Sequence, residues 1–438
     1  MNKKRIIILG AGVAGLSAAW HLQKNNVECH VFEKESEVGG LCRSKTIDGF
    51  TFDYDGHPLH FKNPGMLEFV KNIMHGNLAE HKRSAWIYSH DTYIPYPFQA
   101  NLYGLPLSVV KECLLGLVDV IGCERSRERK KRQVNFSYWI KNTFGKGIAK
   151  HFFIPYNTKF WTMPLDKLSC DWLDGFIPVP SLEQVIAGSI QRSRRSFGYN
   201  CKFWYPKTGG INQLPLSLAR GVKNIHLNCG ITEIDPKNKT ISTTQGSKEK
   251  FDYLISTAAL PELPGVIKGV PRDKLKLFNK LKWNSILNFN LGVTNKNNFG
   301  QHWVYFPKTE TPFFRVGFYH NFSSSIAPKN KGALYVEAAY SKNRPIDRKD
   351  MVKMIVKELS RLDIIDSADN ICVKDLNDIK YGYPIYDMNY AHIRKGILDY
   401  LASFGVIGCG RYGSWRYFSM EDSICDGRQV AKKIYENI

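Results

Sequence analysis

At 438 residues the chain is too long for one compact core and is expected to form two or three structural units. Its 43% hydrophobic content is that of a globular protein, and its longest apolar region, LPLSVVKECLLGLVDVIG, is broken by Lys111, Glu112 and Asp119, which excludes a membrane span there. The net charge of +21 admits nucleic acid, an anionic membrane or an anionic small substrate as partner. The basic runs RSRERKKR (125–132) and QRSRRS (191–196) stand in no recognisable nucleic-acid module, so no nucleic-acid partner is expected and the runs read as solvated faces.

In chain order, RIIIL (5–9) is a continuous apolar run of β-formers and predicts a buried parallel strand. GAGVAG (10–15) follows, then LSAAWHLQK with helical spacing, then a second strand VECHVFE (27–33) ending in Glu33. This is strand, G-x-G-x-x-G, helix, strand, acid. Gly10 permits the tight turn, Gly12 lets backbone approach a pyrophosphate, and Gly15 lets helix and strand pack closely. The helix N-terminus then faces the phosphates and Glu33 accepts from a ribose hydroxyl. EKESEVGGLCRS (33–44) adds Gly39, Gly40 and Arg43. This resembles the second glycine pair of the FAD-binding amine-oxidase-like superfamily, which favours FAD over NAD.

DYDGHPLH (53–60) sets Asp53 and Asp55 before His57 and His60. The residue types suit a metal, but Gly56 and Pro58 disfavour a helix, so the two imidazoles have no reason to share a face. A loop held by its own hydrogen bonds and another kind of active site are the other readings. The upstream resemblance places His57 beside a flavin instead.

A mostly helical stretch is expected from about 105 to 195. IHLNCGITEID and KTISTT read as β-rich, and FDYLISTAA (251–259) as a strand returning to the nucleotide sheet. SILNFNLGV, HWVYFP, FFRVGFYH and GALYVEAAY read as strands of a second sheet, and MVKMIVKELSRLDII as an amphipathic helix. GVIGCGRYG (405–413) is a strand ending in a glycine turn before a last helix. Ten scattered cysteines without a CxxC pair, and no secretory leader, lead to the expectation of a cytoplasmic protein.

YIPYPFQANLYGLP (93–106), IPYNTKFWTMPLDKLSCDWL (154–173), FWYPKTGGI (203–211), WVYFPKTETPFFR (303–315), YGYP (381–384) and GRYGSWRY (410–417) together resemble the UDP-galactopyranose mutase family, in its eukaryotic type. The resemblance implies an α/β fold: a Rossmann-type FAD-binding domain, a mainly helical substrate domain and a second antiparallel sheet. These would be interleaved as 1–90, 201–265 and 391–438 for FAD, 91–200 for the helices and 266–390 for the sheet. It implies interconversion of UDP-galactopyranose and UDP-galactofuranose by attack of reduced FAD N5 on the anomeric carbon, without net redox, with NADPH or NADH as reductant. Arg315, Tyr305, Tyr383 and Tyr417 match diphosphate-binding positions. Tyr96, Gln99, Asn157, Trp161 and Asn200 match uridine and helical-domain positions. Gly410, Arg411 and Ile231 fall among cofactor positions, and His57 near the flavin. Each aromatic could also be plain core, and Arg315 could pair with a structural carboxylate.

Two departures stand out. Phe176 occupies the place of a second diphosphate-binding arginine, a loss of roughly 10- to 150-fold in binding unless another cation such as Arg192, Arg194 or Arg195 replaces it. His60 replaces an aromatic residue and Asp55 a small one, which points to a different hexose, to an Asp55–His60 acid/base pair, or to a simple loop hydrogen bond. A flavin oxidoreductase on a non-nucleotide substrate, and a flavin-bound module docking through its basic face, are the alternatives to the mutase.

Overall fold

The computed structural model describes residues 4–124, 134–173, 175–192, 197–198, 201–295 and 299–437. The basic run at 125–132, residues 193–196 of the second run, and Asn200 lie outside them.

The strand Ile6–Leu9 lies at the centre of a five-stranded parallel sheet. The order is Val406–Gly408, Tyr253–Ser256, Ile6–Leu9, Cys29–Phe32, Ile225–His226. A central parallel strand is covered on both faces, which is why IIIL is apolar without alternation. The returning strand expected at 251–259 pairs directly with Ile6–Leu9, and the strand expected after 405 pairs with it in turn. Helix Val13–Lys24 follows the glycine turn, and the last helix, Met420–Tyr435, packs along it. A Cβ on Gly427 would stand 2.5 Å from the Ala14 carbonyl oxygen, so these helices meet at backbone distance.

The second sheet has seven strands in the order Ile371–Pro384, Trp283–Val293, Gly332–Tyr340, Arg315–Phe318, Trp303–Tyr305, Ala85–Ser89, Thr92–Pro95. All pairings are antiparallel except Trp303–Tyr305 with Ala85–Ser89. The hairpin Ala85–Pro95 joins this edge from far away in sequence, so no tight turn fixes its direction and the sheet is mixed at that seam.

Alternation sorts the faces of this sheet. On Trp283–Val293, Leu287, Phe289 and Leu291 enter an apolar cluster with Val316, Phe318, Leu334 and Val336. Asn284, Asn288 and Asn290, at alternate positions, are buried on the opposite face. Register then builds one cross-strand row on that face. Asn377, Asn288, Glu337, Arg315 and Tyr305 stand opposite one another on five neighbouring strands.

The helical part runs through Leu107–Glu124, Phe136–Ile148, Ile154–Trp161 and Leu182–Ile190. Gly145 sits at φ +79 with the Gly116 carbonyl oxygen 2.1 Å from where its Cβ would be, so the first two helices touch through glycines. Among the described residues no helix is long and apolar enough to cross a membrane.

Candidate active site at the junction of the nucleotide sheet and the mixed sheet

The glycine motif forms a cradle of bare backbone. Gly10 takes φ +99, and a Cβ on Gly15 would stand 2.1 Å from the Gly10 carbonyl oxygen. Gly12 precedes helix Val13–Lys24 and no side chain caps it. Its first-turn N–H groups therefore remain for an anion. Gly12 and Gly39 form a backbone bridge, and a Cβ on Gly40 would meet Gly12 Cα at 3.3 Å. Glu33 is buried at the end of its strand, with one carboxylate oxygen accepting from the Ala11 N–H at 2.7 Å and the other from the Glu35 N–H at 3.0 Å. Arg43 lies 3.7 Å from Glu35 and 3.6 Å from Glu37 through Nη1, while its buried Nε has no partner among the described residues. An orphaned donor beside a side-chain-free helix N-terminus fits the diphosphate of a dinucleotide.

The C-terminal turn closes this mouth. Gly410 takes φ +75 and a Cβ there would meet Ala14 Cβ at 2.5 Å. Its N–H donates to Asp426 at 2.7 Å, and Arg411 Nε donates to the Phe418 carbonyl at 2.7 Å. Ile231 opens the strand Ile231–Asp235, and the turn before it is pinned by the Cys229 N–H donating to the Glu33 carbonyl at 2.8 Å. The predicted cofactor positions thus gather around one cradle from four parts of the chain.

The loop at 53–60 spans from this cradle to the cross-strand row. Asp53 is buried, accepting from Ser44, Tyr205 and the Ile211 N–H, and burial pushes its carboxyl up to about 6. His57 Nδ1 is 2.9 Å from the Asp55 carbonyl. A carbonyl only accepts, so Nδ1 carries the hydrogen and Nε2 is a bare acceptor. Burial, then the Arg411 and Arg315 charges, push this imidazole down to about 3, so it is neutral near pH 7. His60 turns elsewhere: its Nδ1 donates to the Lys202 carbonyl at 3.2 Å, and burial helped by Arg83 pushes it down to about 4.

The Asp55–His60 pair considered from sequence does not form. Asp55 accepts from the Gly56 N–H at 2.9 Å and from Asn288 Nδ2 at 3.4 Å, and its carboxyl is in hydrogen-bond contact with Glu337. The reason is the sheet register, which carries Glu337 and Asn288 beneath the loop. Burial first, and then Glu337, raise the Asp55 carboxyl well above the ordinary carboxylate range. Glu337, fully buried, receives Arg315 in a fork: Nη2 to Oε1 at 2.6 Å and Nε to Oε2. Arg315 therefore does pair with a buried carboxylate, and its Nη1 stays free of any partner among the described residues.

Around Arg315 stands an aromatic wall. Tyr305 is 5.4 Å from Tyr96 and 5.6 Å from Tyr156, ring to ring. Tyr383 stacks on Tyr417 at 5.3 Å, and Trp161 lies 5.8 Å from Tyr417 and 6.4 Å from Tyr383. Trp161 is 1% exposed, and its indole N–H has no partner among the described residues. Burial raises the Tyr96, Tyr383 and Tyr417 phenols, so all three stay protonated donors. Arg411 stands 4.9 Å over the Tyr383 ring and Arg83 4.9 Å over the Tyr96 ring. Asn157 Nδ2 is spent on its own helix, on the Phe153 carbonyl at 2.8 Å. Gln99 Nε2 donates to the Pro178 carbonyl at 2.7 Å and leaves Oε1 buried without a partner among the described residues.

Phe176 packs 5.2 Å from Tyr417, with Lys62 Nζ 4.5 Å from its ring. Arg192, one candidate replacement for the missing arginine, instead sits 5.9 Å over Trp86. The cation beside Phe176 is Lys62, whose backbone N–H, with that of Asn63, is held by the Glu421 carboxylate at 2.8 Å. Sequence reading also missed Lys159. It is 2% exposed, and its ammonium donates to the carbonyls of Phe306 (2.8 Å), Phe313 (3.0 Å) and Lys308. It ties the helix bearing Asn157 and Trp161 to the loop between Tyr305 and Arg315. Glu337 was the most legible of the missed residues, since a lone acid inside GALYVEAAY must meet a partner once that strand is buried.

The chain is similar to known proteins over its whole length. A crystal structure of reduced UDP-galactopyranose mutase superposes with a TM-score of 0.93 at 26% identity, covering 99% of this chain and 96% of that one. The mitochondrial protoporphyrinogen oxidase of Nicotiana tabacum is 44% identical over 307 residues, 59% of this chain and 58% of that protein. An uncharacterized protein from the nifH2 3' region of Methanothermococcus thermolithotrophicus is 41% identical over 68 residues, 16% of this chain and 66% of that protein. The chain therefore spans less than two thirds of the length of either of these curated relatives. Residues 13–435 match the family described as flavin containing amine oxidoreductase, and the chain belongs to that family.

Proposed function

We propose that the protein is a flavin-dependent nucleotide-sugar mutase that interconverts UDP-galactopyranose and UDP-galactofuranose, or a closely related sugar. The observation that carries this reading is the wall of tyrosines with Arg315 beside the dinucleotide cradle. An apolar or amine substrate has no use for a forked arginine within a wall of phenol hydroxyls, whereas a diphosphate leaving group needs such donors. FAD is the group the family implies. When bound and reduced it supplies the nucleophilic N5, with NADPH or NADH as the expected reductant.

The chain's own residues bind and orient. Tyr305, Tyr383 and Tyr417 donate to the diphosphate, and Arg315 meets it with a plane fixed by Glu337. Lys62 brings the second cation that Phe176 lacks. Tyr96, Gln99, Asn157 and Trp161 lie where the uridine end is expected. His57 offers a neutral acceptor towards the flavin. The place of action is the cytoplasm. The similarity to a protoporphyrinogen oxidase supports a second reading, an oxidoreductase on a non-nucleotide substrate, which would consume oxygen or another acceptor with turnover.

Fluorescence titration with UDP tests the pocket. Tyr305→Phe combined with Arg315→Ala and Glu337→Gln, so that no buried charge is orphaned, is expected to weaken UDP binding by at least about tenfold. Unchanged affinity would remove the diphosphate assignment.

A further inference from the structure

Asp55 carries a group that the proposed chemistry does not use. It lies in the loop where the chain departs from the family it resembles, and Asn288, which donates to it at 3.4 Å, stands opposite Glu337 in the sheet register, so the two carboxyl groups meet. Two carboxyl groups in contact and out of water hold one proton between them, because two adjacent carboxylates repel. Arg315 grips both Glu337 oxygens, which keeps Glu337 the ionised member. The proton therefore resides on Asp55, directed at Glu337.

The groups facing Asp55 support that placement. From the mixed sheet come Glu337, Arg315 and Asn288. Tyr319 donates its hydroxyl to the Asp55 carbonyl at 3.2 Å, and Tyr335 packs under Gly56, where a Cβ would meet its ring at 2.6 Å. On its own loop stand Asp53, already supplied with three donors, and His57, neutral. The C-terminal turn contributes Tyr412, and the end of the strand Ile371–Pro384 Tyr383, whose phenols both feel the Asp55 carboxyl, while the Arg411 charge bears on His57 and Tyr383.

We propose that Asp55 is a proton-holding positioning residue that sets the anion affinity of the site. With the proton in place, Arg315 and Glu337 cancel and Arg315 Nη1 offers its N–H groups to a diphosphate. When Asp55 gives that proton to water, the three groups sum to one negative charge beside the same diphosphate, and affinity falls. The identity of the anion rests on the mutase reading.

The test is binding rather than turnover. Oxidised wild type and Asp55→Asn are titrated with UDP-galactose, whose bridging diphosphate keeps a constant charge, from about pH 6 to about pH 9. The Asn amide preserves a donor towards Glu337. Wild-type affinity is expected to fall at least about tenfold across that range, and Asp55→Asn to hold the low-pH affinity throughout. Identical pH dependence in both proteins overturns the proposal. If neither binds UDP-galactose at any pH, the nucleotide-sugar reading fails, and urea unfolding of the same proteins decides the rest. A proton held by folded Asp55 makes wild type lose stability relative to Asp55→Asn as pH rises, because the folded state binds the extra proton. Parallel curves overturn it. Asp55→Ala serves as the second variant if the amide fails to fold.

Discussion

Lys159→Met should separate the substrate wall from the cofactor cradle. Lys159 is buried, and its three N–H groups serve three main-chain carbonyls. A neutral amine has only two hydrogens, so all three acceptors are satisfied only by the ammonium. Burial, helped by the Arg344 charge, pushes the pKa down to about 7, with Glu310 and Glu358 acting against that shift. At about pH 6 the group is charged in either case. Methionine keeps the length and removes every donor. The buried Phe306 and Phe313 carbonyls left unpaired cost about 1–3 kcal/mol each, or about 2–6 together, while the Lys308 carbonyl keeps the Thr311 N–H. Removing a desolvated charge returns several kcal/mol of that. The net loss is then about 1–3 kcal/mol, read as a lower urea midpoint at about pH 6. Because the carbonyls belong to the loop between Tyr305 and Arg315, UDP affinity should fall while FAD retention, set by the distant glycine cradle, stays at the wild-type level. A midpoint within about 0.5 kcal/mol of wild type, or parallel loss of FAD and UDP, would refute the reasoning.

Three other outcomes are expected. Gly15→Ala puts a methyl 2.1 Å from the Gly10 carbonyl oxygen and should yield protein without flavin absorbance. His57 is held neutral by a pKa near 3, below its unfolded value of about 6.5, so wild type should lose stability relative to His57→Asn as pH falls through that interval, by about 1.4 kcal/mol per unit. Urea midpoints at a series of pH values check it. Lys62→Ala should weaken UDP binding by about three- to tenfold, the worth of one exposed charge near 1 kcal/mol, and Phe176→Arg in the same protein should restore it in a titration.

The parts legible in sequence are those governed by short-range rules. The first strand, the glycine turn, Glu33 and the returning strands follow from apolar continuity and spacing, and the structure assembles them into one parallel sheet. The site face of the mixed sheet follows from register, which no local rule supplies. Arg315 and Glu337 are 22 residues apart and Asn377 lies beyond both, yet all share one row. For that reason Asp55 was considered against His60, its neighbour in sequence, when its partner is Glu337. The seam at Ala85–Ser89 was equally hidden, since a strand reading gives no direction for a chain that returns from afar. Lys159 sits in a motif dominated by its aromatics, and a buried lysine announces itself only when its carbonyl acceptors are in place.

The most direct measurement of the central claim is turnover of UDP-galactofuranose by the purified flavoprotein, reduced with dithionite, with the oxidised protein as control and chromatography to follow the pyranose. The account predicts conversion in the reduced sample alone, with no consumption of oxygen or added acceptor. No conversion together with no UDP binding would contradict it and move the assignment to an oxidoreductase on a non-nucleotide substrate.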